Sequence, residues 1–142
     1  MEPFRTQRRV EFVDTDAAGI AHFTALIAYM EQAEHEFLRH LGLSVVIREP
    51  TGEISWPRVS VQAAFAAAVR FEDQVEIEVR VDRLGEKSVT YGFQLNHGGV
   101  PVASGSITAV CCRIVAGRSP ESMVIPQWIR DRFAPWLAPS RS

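Results

Sequence analysis

Cysteine is scarce: the 142 residues hold two, Cys111 and Cys112, side by side. Neighbouring side chains on a strand point to opposite faces. The pair is therefore a poor disulfide and at most half of a metal site. The expectation is two small buried or half-buried thiols in a reducing compartment. Long apolar runs are also missing. The longest, residues 63–69, falls far short of the roughly 20 residues that span a bilayer. The N-terminus MEPFRTQRRV carries charge with no apolar segment behind it, so no secretory leader is expected and a cytoplasmic location is inferred. Nor is there a basic surplus. A net charge of −2 argues against a nucleic-acid partner, and the nearest basic cluster, Arg5, Arg8 and Arg9, reads as a solvated strand edge. His35, His40 and His97 lack metal-ligand spacing, so no metal is expected.

What is present is ordinary for a globular protein: 46% hydrophobic and 23% charged residues. The length predicts one domain, residues 1–138, with a disordered tail at 139–142. The stretch that organises the chain is 10–42, VEFVDTDAAGIAHFTALIAYMEQAEHEFLRHLG. It predicts a strand over 5–13, an acidic turn containing Gly19, and one long helix. Thr24 is the expected N-cap and Gly42 the expected C′ residue. Leu26, Ile27, Met30, Ala33, Phe37, Leu38 and Leu41 form the apolar stripe, with Glu31, Glu34, Glu36 and Arg39 off it. A helix of about five turns, roughly 27 Å long, with so wide a stripe needs a sheet or another helix against it.

Residues 43–55 read as a connector with room for a turn of helix at 45–49. A strand follows over 56–65. Val75, Ile77, Val79 and Val81 alternate with charged residues, as in a strand with one wet face. Val89, Tyr91, Phe93 and Leu95 keep the phase after a turn around Gly85. Asn96-His97-Gly98-Gly99 signals a hairpin, residues 100–115 a long last strand, and 126–137 a short helix with Trp128, Ile129, Phe133 and Trp136 on its apolar side. Short turns make the strands antiparallel neighbours. One long helix against a curved antiparallel sheet of about five strands is an α+β solution. Its open edges predict burial against a second copy.

The acidic turn suggests chemistry. Asp14 and Asp16 lie just before a helix N-terminus, where unpaired amides and the helix dipole favour a developing negative charge. A carboxylate beside such donors can attack an activated carbonyl or deprotonate water. Gly19 lets the backbone turn closely. Capping and turn formation are routine for aspartate as well, and Asp14 fits that role better.

The run VEFVDTDAAGIAHFTALIAYMEQAEHEFL resembles the N-terminal signature of hotdog-fold acyl-CoA thioesterases of the 4-hydroxybenzoyl-CoA thioesterase type: strand, Asp-x-Asp-x-x-Gly, apolar or aromatic residues, central helix. Trp-Pro-x-Val-Ser at 56–60, Arg70-Phe-Glu-Asp-Gln-Val, Gly-Glu-Lys-Ser at 85–88 and Ile125-Pro126 extend the similarity over nearly the whole chain. The resemblance implies a homodimer or homotetramer with sites at the protomer boundary. It implies hydrolysis of a small or medium acyl thioester, aromatic ones included, carried on CoA or on an acyl-carrier protein, without a metal or cofactor, CoA being part of the substrate. It assigns the catalytic carboxylate to Asp16 and the oxyanion amide to Phe23 or a neighbour. His22 stands where many members carry an aromatic residue; it is a second base, a water-orienting group or a replacement wall. Gly19 and Thr24 border the presumed site. Glu31 or Glu34 is placed to reach the acyl pocket of a partner protomer, or else belongs to a solvated helix face. Ser60 is a candidate pocket residue. Lys87, Ser88 and Arg83, with Arg113, lie where coenzyme phosphates or pantetheine are met, or are plain surface groups. Two other readings compete: an acyl-thioester dehydratase or hydratase, for which His22 and Glu36 are suggestive although the His-Phe-Pro signature is absent, and a non-enzymatic acyl-CoA-binding module.

Overall fold

The computed structural model describes residues 2–139; the predicted tail from 140 on lies outside them. Five strands form the main antiparallel sheet: β1 (Phe4–Arg9), β4 (Arg58–Phe65), β5 (Gln74–Leu84), β6 (Ser88–His97) and β7 (Val100–Val110). Their spatial order is β1-β5-β6-β7-β4, so β1 and β4 are the edges. The long helix α1 (Phe23–His40) lies across one face. A smaller sheet, β2-β3-β8-β9, sits to one side and is built from Val46–Glu49, Gly52–Ser55, Cys112–Ile114 and Glu121–Ser122. Helix α2 (Gln127–Phe133) closes the chain. No helix among the described residues is long and apolar enough to cross a membrane.

The alternating pattern of β5 and β6 does what its period dictates. Val75, Ile77, Val79 and Val81 point at α1 with Val89, Tyr91, Phe93 and Leu95, and all are buried. Full burial of each such side chain stabilises the fold by about 1.5–3 kcal/mol. From α1 come Leu26, Met30, Ala33, Phe37 and Leu38. The helix lies close to the sheet at Gly105, where a built Cβ would stand 2.8 Å from the Met30 sulfur and 2.6 Å from the Gln62 carbonyl oxygen. At the other end Gly42, with φ +75°, donates to the Arg39 carbonyl, and Leu43 donates to that of Leu38. These two bonds are a Schellman termination, so the C′ reading of Gly42 holds. Arg132 of α2 donates to the Leu41 carbonyl at 2.7 Å and ties the two helix ends together.

Several expectations are corrected. The first strand stops at Arg9, because Val10 turns into the core while Phe12–Asp14 form a 3-10 turn with Phe12 exposed. The helix N-cap is His22, whose Nδ1 accepts from the Thr24 amide, so Thr24 receives the cap bond. The segment at 45–49 is strand β2, paired with β3 as a hairpin. The last strand breaks at Cys111, after which β8 leaves the main sheet and pairs with β3. On α2, Ile129 and Phe133 are buried, but Trp128 is exposed. Glu34 is fully enclosed on the helix face turned to the sheet, where it accepts a hydrogen bond from the Arg58 guanidinium. Both cysteines are free and buried. Burial pushes the Cys111 thiol up to about 11.

Candidate active site

The acidic turn is built by backbone bonds that follow from its sequence. The Asp14 amide donates to the Glu11 carbonyl at 2.9 Å, and the Asp14 carboxylate accepts the Glu11 amide at 2.9 Å. This reciprocal pairing closes the 3-10 turn. Thr15 then bridges to Ala21, and Asp16 donates to the Ile20 carbonyl at 2.9 Å. Within that small loop Gly19 has φ +78° and donates back to the Asp16 carbonyl, a conformation glycine adopts without steric cost. The Ala18 amide donates to Asp16 Oδ1 at 2.8 Å, an Asx turn. Among the described residues nothing occupies Asp16 Oδ2.

The loop delivers the chain directly into α1. His22 donates its amide to the Asp14 carbonyl at 2.8 Å, and its ring caps the helix through Nδ1. Thr24 and Ala25 spend their amides on the His22 ring and carbonyl. The amide of Phe23, the first helical residue, has no acceptor among the described residues. It is thus the free donor of the first turn, at the positive end of the helix dipole.

Asp16, Ile20, Phe23 and Leu26 line a cavity of about 410 Å³ with Phe65 and residues 66–69. Its walls are apolar apart from the carboxylate. Ala21 donates to the Val69 carbonyl at 2.8 Å and Ala66 to that of Val102, which fixes the opposite wall against the loop. Phe23 and Phe65 meet edge to face at 6.1 Å between ring centroids.

Of the residues expected at the site, Asp16 and Phe23 line the cavity; Gly19, His22 and Thr24 shape the loop and the helix start but are exposed and outside its lining. Glu31 is exposed two turns further along α1, roughly 12 Å from the first turn. Ser60 sits on edge strand β4 opposite Thr108, away from the cavity. Arg83, Lys87 and Ser88 lie at the β5–β6 turn, with Ser88 opposite Val110 on β7. Phe65 is opposite Ala103 on that same strand. Seven residues of strand separate these two levels, about 23 Å, so the turn does not reach the cavity of its own protomer. Residues 65–69, the end of the longest apolar run, supply the far wall. Its lack of polar residues was the available signal.

A long helix laid across an antiparallel sheet, with an acidic loop feeding its N-terminus, defines a hotdog-fold protein of the thioesterase class. The chain belongs to the thioesterase-like superfamily, whose family model matches residues 10–133. It is similar to a 1,4-dihydroxy-2-naphthoyl-CoA hydrolase of Synechococcus elongatus, 26% identical over 132 residues, covering 92% of this chain and 97% of that one. Among solved structures it is similar to the gentisyl-coenzyme A thioesterase BH1999, with 30% identity, a TM-score of 0.77, and coverage of 92% and 99% of the two chains. The fold also matches Slr0204, a 1,4-dihydroxy-2-naphthoyl-CoA thioesterase from Synechocystis, at 18% identity and a TM-score of 0.81, covering 92% and 95%.

Proposed function

We propose that the chain, a thioester hydrolase by family, splits aromatic acyl-CoA thioesters carrying ring hydroxyls. Asp16 is the reacting carboxylate and the Phe23 amide the oxyanion donor. The single observation that carries the reading is the pairing, in one apolar cavity, of a carboxylate with one unoccupied oxygen and a helix N-terminus with one unoccupied amide. Water attacks the thioester carbonyl carbon as Asp16 Oδ2 takes its proton. The carbonyl oxygen gains charge against the Phe23 amide, and the tetrahedral adduct collapses with cleavage of the C–S bond. The CoA thiolate leaves, regains a proton, and the free acid remains. Alternatively Asp16 Oδ2 attacks the carbonyl carbon itself and water hydrolyses the resulting anhydride. The reaction in this reading uses no metal or cofactor, because the carboxylate and the amide supply base and electrophilic assistance. The ring-hydroxyl class of substrate is supported by the names of the relatives and by the apolar walls around one polar end.

The reading includes a cytoplasmic homodimer, or a tetramer of such dimers, built on edge strand β4. That edge carries Val59, Val61 and Phe65 at 63%, 47% and 46% exposure, beside Phe23 at 54%. Natural edges usually carry charge or proline; between Val59 and Phe65 this one has neither. Phe65 belongs to both the edge and the cavity wall, so a second copy on β4 would cover the open side of the site. It would also bring Arg83, Lys87 and Ser88 within range of a coenzyme held by its partner.

The test is CoA release from a panel of 1,4-dihydroxy-2-naphthoyl-CoA, gentisyl-CoA, benzoyl-CoA, acetyl-CoA and octanoyl-CoA, followed with a thiol reagent. The hydroxyaryl thioesters should be cleaved fastest and Asp16→Asn should abolish release. Binding without release points to the acyl-CoA-binding module, and full activity in Asp16→Asn overturns the assignment. A single turnover in ¹⁸O water tests the second route: label in Asp16 requires an anhydride opened by water at the aspartyl carbon, an intermediate the first route never forms.

A further inference from the structure

Asp14 is the joint between the two halves of the proposed machinery. Its carbonyl accepts the amide of His22, the cap of the helix that presents the Phe23 amide, at 2.8 Å. Its carboxylate closes the 3-10 turn through the Glu11 amide, and two residues later the chain places Asp16. The remaining bond to that carboxylate comes from elsewhere. Tyr29, in the second turn of α1, reaches back and donates its hydroxyl to Asp14 Oδ2 at 2.7 Å.

We infer that Tyr29 is a positioning residue for thioester hydrolysis, holding the Asp16 carboxylate in register with the helix N-terminal amide through Asp14. The inference rests on the reading of Asp16 and Phe23 given above. The physical argument is one of leverage. The loop 11–22 is exposed at Glu11, Phe12, Val13 and again at 17–19, so its own packing fixes it weakly. Tyr29 is 3% exposed and anchored in the core. It connects the loop to the rigid body of the same helix that carries the oxyanion donor. A hydroxyl bonded to a carboxylate is short and directional, and both of its ends lie within seven residues of a reacting group. Burial, and next the Asp14 carboxylate, push the Tyr29 hydroxyl well above the usual phenol range. It therefore remains a donor at any pH at which the enzyme works. Misplacement of a reacting group by about 1 Å can cost a hundredfold in rate, so a tether of this kind acts on turnover more than on binding.

The experiment uses Tyr29→Phe, which removes one oxygen and keeps the ring in the core. Steady-state hydrolysis is measured with whichever panel thioester the wild type cleaves fastest, well below the melting temperature of every variant. The expected result is a kcat at least fivefold lower with KM within about twofold. Tyr91→Phe is the control. It deletes a hydroxyl that is equally enclosed but has no partner among the described residues, and kcat should stay within twofold of wild type. Tyr29→Phe should cost little more in an Asp14→Ala background than Asp14→Ala costs alone, because the hydroxyl has then already lost its acceptor. A kcat in Tyr29→Phe less than fivefold below wild type, an equal fall in Tyr91→Phe, or fully additive losses overturns the inference. Retained activity in Asp16→Asn is a different failure, of the catalytic assignment itself.

Discussion

The carboxylate of Glu34, enclosed in the middle of α1, is held by the guanidinium of Arg58 from edge strand β4, 24 residues away. A bulge makes the pairing possible. Arg58 is opposite Ala109 and Ser60 opposite Thr108, so Val59 is an extra residue and the phase of the strand changes there. The change turns Arg58, not Val59, toward the helix, which is what such bulges do to a side chain. Arg58 also donates to the Trp56 carbonyl at 2.9 Å. Removing one member of a buried pair leaves the other uncompensated, at a cost of about 3–5 kcal/mol. Arg58→Met should destabilise the protein by that order in urea denaturation. Glu34→Leu combined with Arg58→Met should recover most of the loss, because neither charge is then stranded. If the double variant is as unstable as the single one, packing and not charge governs this position.

The same pair sets a pH dependence. Burial raises the Glu34 carboxyl to about 7 against the opposing pull of Arg58. In the unfolded chain it returns to the ordinary glutamate value of 4.5. Between those values the folded state holds a proton that the unfolded state has lost. The stabilising contribution of the protonated form is thus complete below about 4.5 and is lost as pH rises through about 7. Glu34→Gln has no proton to lose. Its stability relative to wild type should therefore rise from pH 5 to pH 8, read as the difference in melting temperature. A difference that stays flat across this window would mean that Glu34 titrates near its ordinary value in the folded protein.

Much of the fold was legible because its signals are local. The alternation at 75–81 and 89–95 and the Gly42 stop each depend on a few neighbouring residues, and each element formed where its pattern lay. The acidic loop was legible for the same reason, since its turn, its glycine and the helix that follows are contiguous. What failed depends on distant partners. Glu34 looks solvated in sequence because its compensating charge lies on a strand whose bulge has no clear local signature. The turn at 45–49 became a strand because β3 and β8 offered it a ladder. Residues 100–115 divided at Cys111 because two sheets compete for one run of apolar and hydroxyl residues. His22 displaced Thr24 as the cap because an imidazole nitrogen two residues before the Thr24 amide can accept its hydrogen, a role propensity assigns to hydroxyls and carboxylates.

Gly105 makes a sharper test of packing than any large core residue. It lies on the inner face of β7 opposite Ala63, directly beneath α1. A methyl group there would fall 2.6 Å from the Gln62 carbonyl oxygen and 2.8 Å from the Met30 sulfur. The sulfur is the end of a flexible side chain and can move, but the carbonyl belongs to the paired strand and cannot move without disturbing the ladder. Gly105→Ala should therefore destabilise by about 1–3 kcal/mol, the usual range for an overfilled core. Met30→Ala alone opens a cavity in the core at a cost of about 2–5 kcal/mol, so the comparison is a cycle: Gly105→Ala should cost less in the Met30→Ala background than in wild type, but still a measurable part. No cost in that background, measured by urea denaturation, would assign the whole strain to the thioether and free the strand backbone of any share.

The edge of β4 offers the last prediction. Val61 lies at the middle of the strand, 47% exposed and opposite Ile107, with its outer backbone groups left unpaired by the sheet order. A lysine at that position costs the monomer little, because the side chain can extend into water. In a symmetric strand pair two such lysines would be brought close together and desolvated, which is how natural edges are protected from pairing. Val61→Lys should therefore sediment as a monomer where wild type sediments as a dimer or tetramer, with a melting temperature that no longer depends on protein concentration. Activity should fall with assembly, since Phe65 carries the edge into the cavity wall, and should recover in part at high protein concentration. A Val61→Lys protein that keeps the wild-type mass and rate places the interface elsewhere. A monomer with full activity would show instead that the cavity needs no second copy to work.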